Sequence, residues 1–188
     1  MKLIDNVQVY GLENAIRVSK FPMVVDPEAC TTEITPRVKV LGNCETGTGH
    51  DQFLTGIIVQ FDLSFTIKAW TEAERYHFFD FISSMSTMHR ISKMDIRKQC
   101  NEYVTENTIR EVERLKGEYL ADSTAEKYLR LLYNTPLGFR LTAGMTTNYR
   151  QLKTMYHQRK THRLPEWREF CKWCETLPYF KELCLMED

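Results

Sequence analysis

The residues with most chemical potential lie between Glu126 and Glu166, an interval with no Asp or Glu. It contains Lys127, Arg130, Arg140, Arg150, Lys153, Arg159, Lys160 and Arg163, together with His157 and His162. Bases that converge without internal counter-charge favour phosphate or carboxylate ligands, and arginine can grip such groups with two donors at once. The competing expectation is that these bases pair with the acid-rich segments on either side, 102–126 and 166–188. Arg150 and Arg159 are nine residues apart, which places them about 180° apart on one helix and directs them to different sites or different subunits. Asn148 and Arg150 would stand at that helix's start, where free N–H groups also favour anions. Tyr128, Tyr133, Tyr149 and Tyr156 interleave with the bases. They could stack a planar ring, although at least two of the four are expected in the core.

Other constellations are weaker. Cys171 and Cys174 form a CxxC, with His157 and His162 upstream. Zinc would need four ligands converging tetrahedrally, and no second CxxC exists. The expectation is reduced thiols packed on one helix face, and no metal. Asn43–Gly49 (NCETGTG) is glycine-rich but lacks the Lys and Ser/Thr that complete a P-loop, so it reads as a surface loop. His77 and His89 could act as acid or base, and Asp80 follows His77 by three.

These residues need elements to hold them. Val7–Tyr10 and Val38–Leu41 read as short strands. In 54–68 the apolar residues alternate from Val59 through Phe61, Leu63 and Phe65 to Ile67, which marks a half-buried antiparallel strand, long enough to need a bend. Thr71–Glu74 reads as a capping box opening a helix over 75–85, with Phe78, Phe81 and Ile82 on one face. From about Thr105 onward the pattern is helical: 105–119 is amphipathic, Ser123–Glu126 caps a helix through Leu132, and Asn134–Gly138 turns. Thr147 caps a helix over 148–159, and Pro165 opens another that runs to about Thr176 before Pro178. The fold class is α+β (α/β), one domain over 1–188, with a helix-flanked, largely antiparallel sheet.

Composition bounds the function. The chain has 188 residues, 43% hydrophobic and 27% charged, with 25 Lys+Arg balancing 25 Asp+Glu. It is too apolar for disorder and has no run near the roughly 20 apolar residues a membrane span needs. The beginning MKLIDNVQVYG is no signal peptide, and the six cysteines suit a reducing, cytoplasmic setting. Zero net charge argues against wrapping a long nucleic acid but is compatible with small anionic pockets, since the balance is a sum of opposed blocks.

Asn148-Tyr-Arg150-Gln-Leu152, with Arg159 seven residues on, resembles the Asn-x-Arg-x-Leu-(six residues)-Arg helix of the flavin-dependent thymidylate synthases. Glu166-Trp-Arg168 is similar to that family's Glu-Ile-Arg segment, Pro136–Thr142 to its Pro-to-Thr turn, and Arg130 to the arginine on the preceding helix. Ala15–Ser19 resembles its Ala-Arg-Val-Ser segment, and His50 a histidine before the long strand. The family's Arg-His-Arg signature, followed by spaced serines and a final Ser-x-Arg, is matched by Arg75-Tyr-His77, Ser83, Ser84, Ser86 and Arg90. The triplet has one arginine instead of two, and Arg90 falls about three residues too late. The resemblance implies a homotetramer with sites between subunits. It also implies FAD and dUMP as ligands, methylenetetrahydrofolate and NADPH as co-substrates, and dTMP as product. It assigns Arg75, His77 and Asn148 to the cofactor, and Ser86, Arg90, Arg130, Arg150 and Arg159 to the nucleotide. The chain is also similar to short bacteriophage proteins. The departures in the signature leave two alternatives: a non-catalytic protein that sequesters a nucleotide or signalling nucleotide in an inter-subunit pocket, or a structural protein whose basic block pairs internally or with a protein partner.

Overall fold

A computed structural model describes residues 2–45 and 47–185. Four strands form one antiparallel sheet in the order β1-β2-β4-β3. They are β1 (Ile4–Tyr10), β2 (Ile58–Thr66), β3 (Phe79–Ser84) and β4 (Arg140–Asn148). The helices are α1 (Leu12–Val18), α2 (Pro36–Gly42), α3 (Ile67–Ala73), α4 (Thr87–Arg90), α5 (Ile96–Gln99), α6 (Glu106–Ala121), α7 (Ala125–Tyr133), α8 (Tyr149–Arg159), α9 (Pro165–Cys174) and α10 (Phe180–Cys184). Among the described residues no helix is long and apolar enough to cross a membrane.

The alternation in β2 does what its pattern demands. Val59, Phe61, Leu63 and Phe65 are all buried on one face of the sheet, the period-2 consequence of a pleated strand with one covered side. β4 pairs with β2 without interruption from Ile58↔Asn148 to Thr66↔Arg140 and adds Ala143 and Met145 to the same core. Leu152, Met155, Trp167, Phe170, Phe180 and Leu183 from α8, α9 and α10 complete it. A second cluster, including Ile91, Ile96, Val112, Leu115, Leu131 and Phe139, packs beneath the α6–α7 hairpin.

The expected α+β class holds, with several elements corrected. Val38–Leu41 is not a strand: it lies in α2, where Pro36 occupies the first turn and the Thr35 hydroxyl accepts from the Val38 N–H. The long 54–68 strand is three pieces: a 3-10 turn over Gln52–Gly56, β2, and the start of α3. The bend falls at Thr66, whose hydroxyl accepts from the Ala69 N–H and caps α3. Thr71 therefore sits inside a helix, not at its start. In place of the expected helix over 75–85 there is a turn and then the edge strand β3 from Phe79 to Ser84, and Phe78, Phe81 and Ile82 are 63%, 52% and 58% exposed. Three apolar residues at helical spacing fit a short strand equally, and pairing with β4 decides between them. β4 itself lies within the segment expected to be helical; its threonines and glycine weaken the alternation of Ala143, Met145 and Thr147. Asn148, rather than Thr147, caps α8, and Thr124, rather than Ser123, caps α7.

Candidate functional site

α8 begins where β4 ends, at the edge of the sheet shared by Ile58 and Phe79. The Asn148 side chain accepts from the Gln151 N–H at 2.9 Å, so its carbonyl oxygen holds the helix start. Arg150, two residues on, donates from Nε to Asp51 and from Nη1 to Gln52, both at 2.9 Å. Nη2 has no partner among the described residues. Lys153, one turn further, is buried and donates to the Gly42 and Cys44 carbonyls and to Asp51. Asp51 is 0% exposed and is thus clamped between two cations. A buried carboxylate needs this pairing, because desolvation would otherwise exceed anything gained by packing. The clamp ties Asp51, and through Lys153 the Cys44 carbonyl, to α8, with His50 exposed beside it.

Arg159, at the far end of α8, points inward. It is 6% exposed, donates from Nε to the Tyr76 hydroxyl at 2.6 Å and from Nη1 to Glu72 at 3.1 Å, and lies 4.8 Å over the Trp167 ring. His162 and Lys68 also reach Glu72. Burial would raise the Glu72 carboxyl. The Lys68 hydrogen bond and the charges of His162, Lys68 and Arg159 outweigh it and hold the group below its ordinary range. Burial pushes the His162 imidazole down, against the pull of Glu72.

Tyr76 shows what this arrangement positions. It donates to Gln158, accepts from Arg159, and sits buried between exposed Arg75 and exposed His77. The same turn is tied to β4 by the Thr147 hydroxyl, which donates to the Phe78 carbonyl at 2.6 Å. Phe78, one residue after His77, is thereby held beside Thr147, one residue before Asn148 and three before Arg150, whereas Arg75 adjoins Tyr76, which is bonded to the far end of α8. Ser86 and Arg90 follow Met85, whose N–H bonds to the Thr142 carbonyl. Asn148 is six residue steps along β4 from Thr142, about 20 Å at the rise of a strand. The Tyr128 hydroxyl donates to the Met88 carbonyl and anchors the Ser86–Arg90 segment to α7. Arg130 is two residues beyond Tyr128, about 200° around that helix, so this anchor does not bring it to Arg90. Arg75, Arg90 and Arg130 are exposed, and the charge of Arg130 helps hold the Glu111 carboxyl below its ordinary range.

Cys171 and Cys174 pack in the core, as the bland reading of the CxxC has it. Burial pushes the Cys171 thiol up to about 12, which makes it inert at neutral pH. No cluster of metal-ligating residues occurs among the described residues.

Neither a family model nor a curated protein matches the chain. Solved structures do. A flavin-dependent thymidylate synthase, ThyX from Helicobacter pylori, in a crystal structure with FAD and dUMP, superposes with a TM-score of 0.77. That match spans 99% of this chain and 100% of the other, at 14% identity. The chain has the fold of the flavin-dependent thymidylate synthases. A second structure of the Helicobacter pylori enzyme with FAD and dUMP, at 2.31 Å, matches with a TM-score of 0.75 over 97% of this chain, again at 14% identity.

Asp51, Glu72 and Tyr76 organise the site, and reading the sequence did not find them. An acid-free basic stretch must draw its counter-charges from elsewhere. Here Arg150, Lys153 and Arg159 draw theirs from the N-terminal half, whereas only outlying bases pair with the acid-rich flank, Lys127 with Asp122 and Arg140 with Glu102.

Proposed function

We propose that this chain binds a flavin and a nucleotide, as a flavin-dependent thymidylate synthase-like protein acting on dUMP. The observation that carries this reading is the Asn148-x-Arg150 start of α8, tied to the segment after His77 by the Thr147–Phe78 bond, within a full-length match to ThyX, whose crystal structures contain FAD and dUMP. The residues present fit a flavin dinucleotide. Its diphosphate asks for cationic forks, which Arg75 and the free Nη2 of Arg150 offer, and its ring for polar contacts of the kind His77 and the Asn148 amide make. When bound, the flavin supplies hydride chemistry. The chain's own residues orient it and neutralise its charge.

Ser86 and Arg90 are the nucleotide phosphate side of the reading, with Arg130 as a further cation. The Ser86–Arg90 segment follows Met85, which bonds to Thr142, about 20 Å along β4 from Asn148; the reading therefore brings the two groups together across copies, in a homotetramer with inter-subunit sites. Arg159 is a positioning residue in it: its guanidinium holds Tyr76, and Tyr76 sets Arg75 and His77. A cytoplasmic protein of bacterial or phage origin suits these ligands.

A second reading, nucleotide binding without turnover, is favoured by two observations. The signature offers a single arginine where the synthases carry two, and Arg159 is neutralised by Glu72 rather than left for a substrate. Titration with FAD and dUMP, separately and together, decides among these readings. A yellow complex stabilised further by dUMP supports the synthase-like reading. Stabilisation by nucleotides alone supports the second. No stabilisation by FAD or any nucleotide rejects both.

A further inference from the structure

A cavity of about 450 Å³ opens beside the start of α9, lined by Thr66, Lys68, Asn101, Tyr103, Leu137, Arg163, Glu166 and Arg168 among others. None of the residues assigned above to flavin or nucleotide lines it. It lies at the Thr66–Arg140 end of the sheet, opposite Asn148. Its size is in the range of small-molecule sites.

Its walls are held rigidly. The Lys68 N–H bonds to the Leu137 carbonyl and the Asn101 N–H to the Gly138 carbonyl. Gly138 has no room for a side chain, since a Cβ there would come within 2.5 Å of Val104 and 2.6 Å of the Asn101 side chain. Three segments remote in sequence are thereby sewn into one frame.

The chemistry of the walls is divided. On the rim, Arg163 and Arg168 carry two positive charges with no carboxylate partner among the described residues. Arg168 is braced by bonds to the His162 and Arg163 carbonyls. Tyr103, 69% exposed, and Leu137, 59% exposed, add an aromatic and an aliphatic side chain to the lining. At the base lies Glu166, 6% exposed. One of its oxygens accepts from the Thr66 hydroxyl at 2.9 Å; the other has no hydrogen-bond partner among the described residues. A carboxylate is acceptor-only and can take two adjacent N–H donors at once.

We propose that this cavity is a second ligand site, separate from the flavin and nucleotide positions, for a planar heterocycle with two adjacent N–H donors and one anionic group. A guanine nucleoside monophosphate has this chemistry. The N1–H and N2–H edge of guanine meets the Glu166 carboxylate, the ring stacks on Tyr103 against Leu137, and the phosphate meets Arg163 and Arg168. Uracil, with one N–H between two carbonyls, would set an acceptor against the carboxylate.

The test is isothermal titration of the full chain with GMP, IMP and AMP. IMP lacks only the 2-amino donor. GMP is expected to bind at least about tenfold more tightly than IMP or AMP, the scale of one hydrogen bond to a charged group. Arg163→Ala, at an exposed position, is expected to weaken GMP at least about tenfold while leaving stabilisation by FAD and dUMP unchanged. Tyr103→Ala is expected to weaken all three ligands together. Equal affinities for GMP and IMP, no heat with GMP, or GMP binding indifferent to Arg163→Ala would each overturn the proposal. None of these outcomes bears on the flavin reading, whose residues are at other positions.

Discussion

Replacing Arg159 by alanine separates a positioning role from direct ligand contact. The guanidinium is buried, bonded to Tyr76 and Glu72, and stacked over Trp167 at 4.8 Å. Breaking a buried ion pair by removing one partner costs about 3–5 kcal/mol, and a desolvated cation–π contact is about 2 kcal/mol of that scale. Glu72 keeps Lys68 at 3.0 Å and His162 at 3.1 Å, so it is not stranded, and the lower end, about 3 kcal/mol, is the expected loss. For a domain of this size that corresponds to a fall in Tm of roughly 6–12 °C. The assay is calorimetry of Arg159→Ala and Arg159→Lys at neutral pH, with FAD affinity measured below the transition. Arginine's fork serves Tyr76 and Glu72 together, so lysine recovers only part of the loss. FAD binding should weaken in proportion to the loosening of the Arg75–His77 turn. A variant with unchanged Tm that loses all nucleotide binding would refute this account and return Arg159 to direct ligand contact.

Three other outcomes follow from the same contacts. Thr66→Val removes both the α3 cap and the Glu166 partner, and should cost about 2 kcal/mol in urea unfolding; a loss below about 0.5 kcal/mol would mean neither bond matters. Lys153→Met leaves Asp51 with Arg150 alone and the Gly42 and Cys44 carbonyls without this donor, and should lower stability by about 3 kcal/mol; an unchanged urea midpoint would show that the loop is held by other contacts. Acid should destabilise in two stages. His162 and His157 are both held below the ordinary value of 6.5, chiefly by burial. The unfolded chain therefore takes up protons first, and the stability these imidazoles contribute is lost as pH falls below about 6.5. Glu72, held below 4.5, contributes stability present above that pH and lost as pH falls further. A Tm flat from pH 7 to 5.5 would contradict the first stage.

How far the fold and site could be read depended on where the deciding contacts lie. β2 was legible because its alternation is local and its burial complete, and α9 because Pro165 and Pro178 bracket it. β3 and β4 were not, since β3 is an exposed edge whose identity comes from pairing with β4, and β4 is written in threonine and glycine. At the site, Asn148 and Arg150 were legible from their spacing at a helix start. The inward turn of Arg159 was not, because its partners Glu72 and Tyr76 are more than eighty residues away and neither carries a motif. The charge pattern announced that counter-charges were needed without saying where they would come from.

The most direct test of the central claim is the binding of FAD to the purified full chain, followed by absorbance and flavin fluorescence, with and without dUMP. A yellow complex whose stability rises further with dUMP, and which Arg150→Ala and Arg75→Ala both weaken, is the result this account predicts. A colourless protein that gains no thermal stability from FAD at saturating concentration, with or without dUMP, would contradict it.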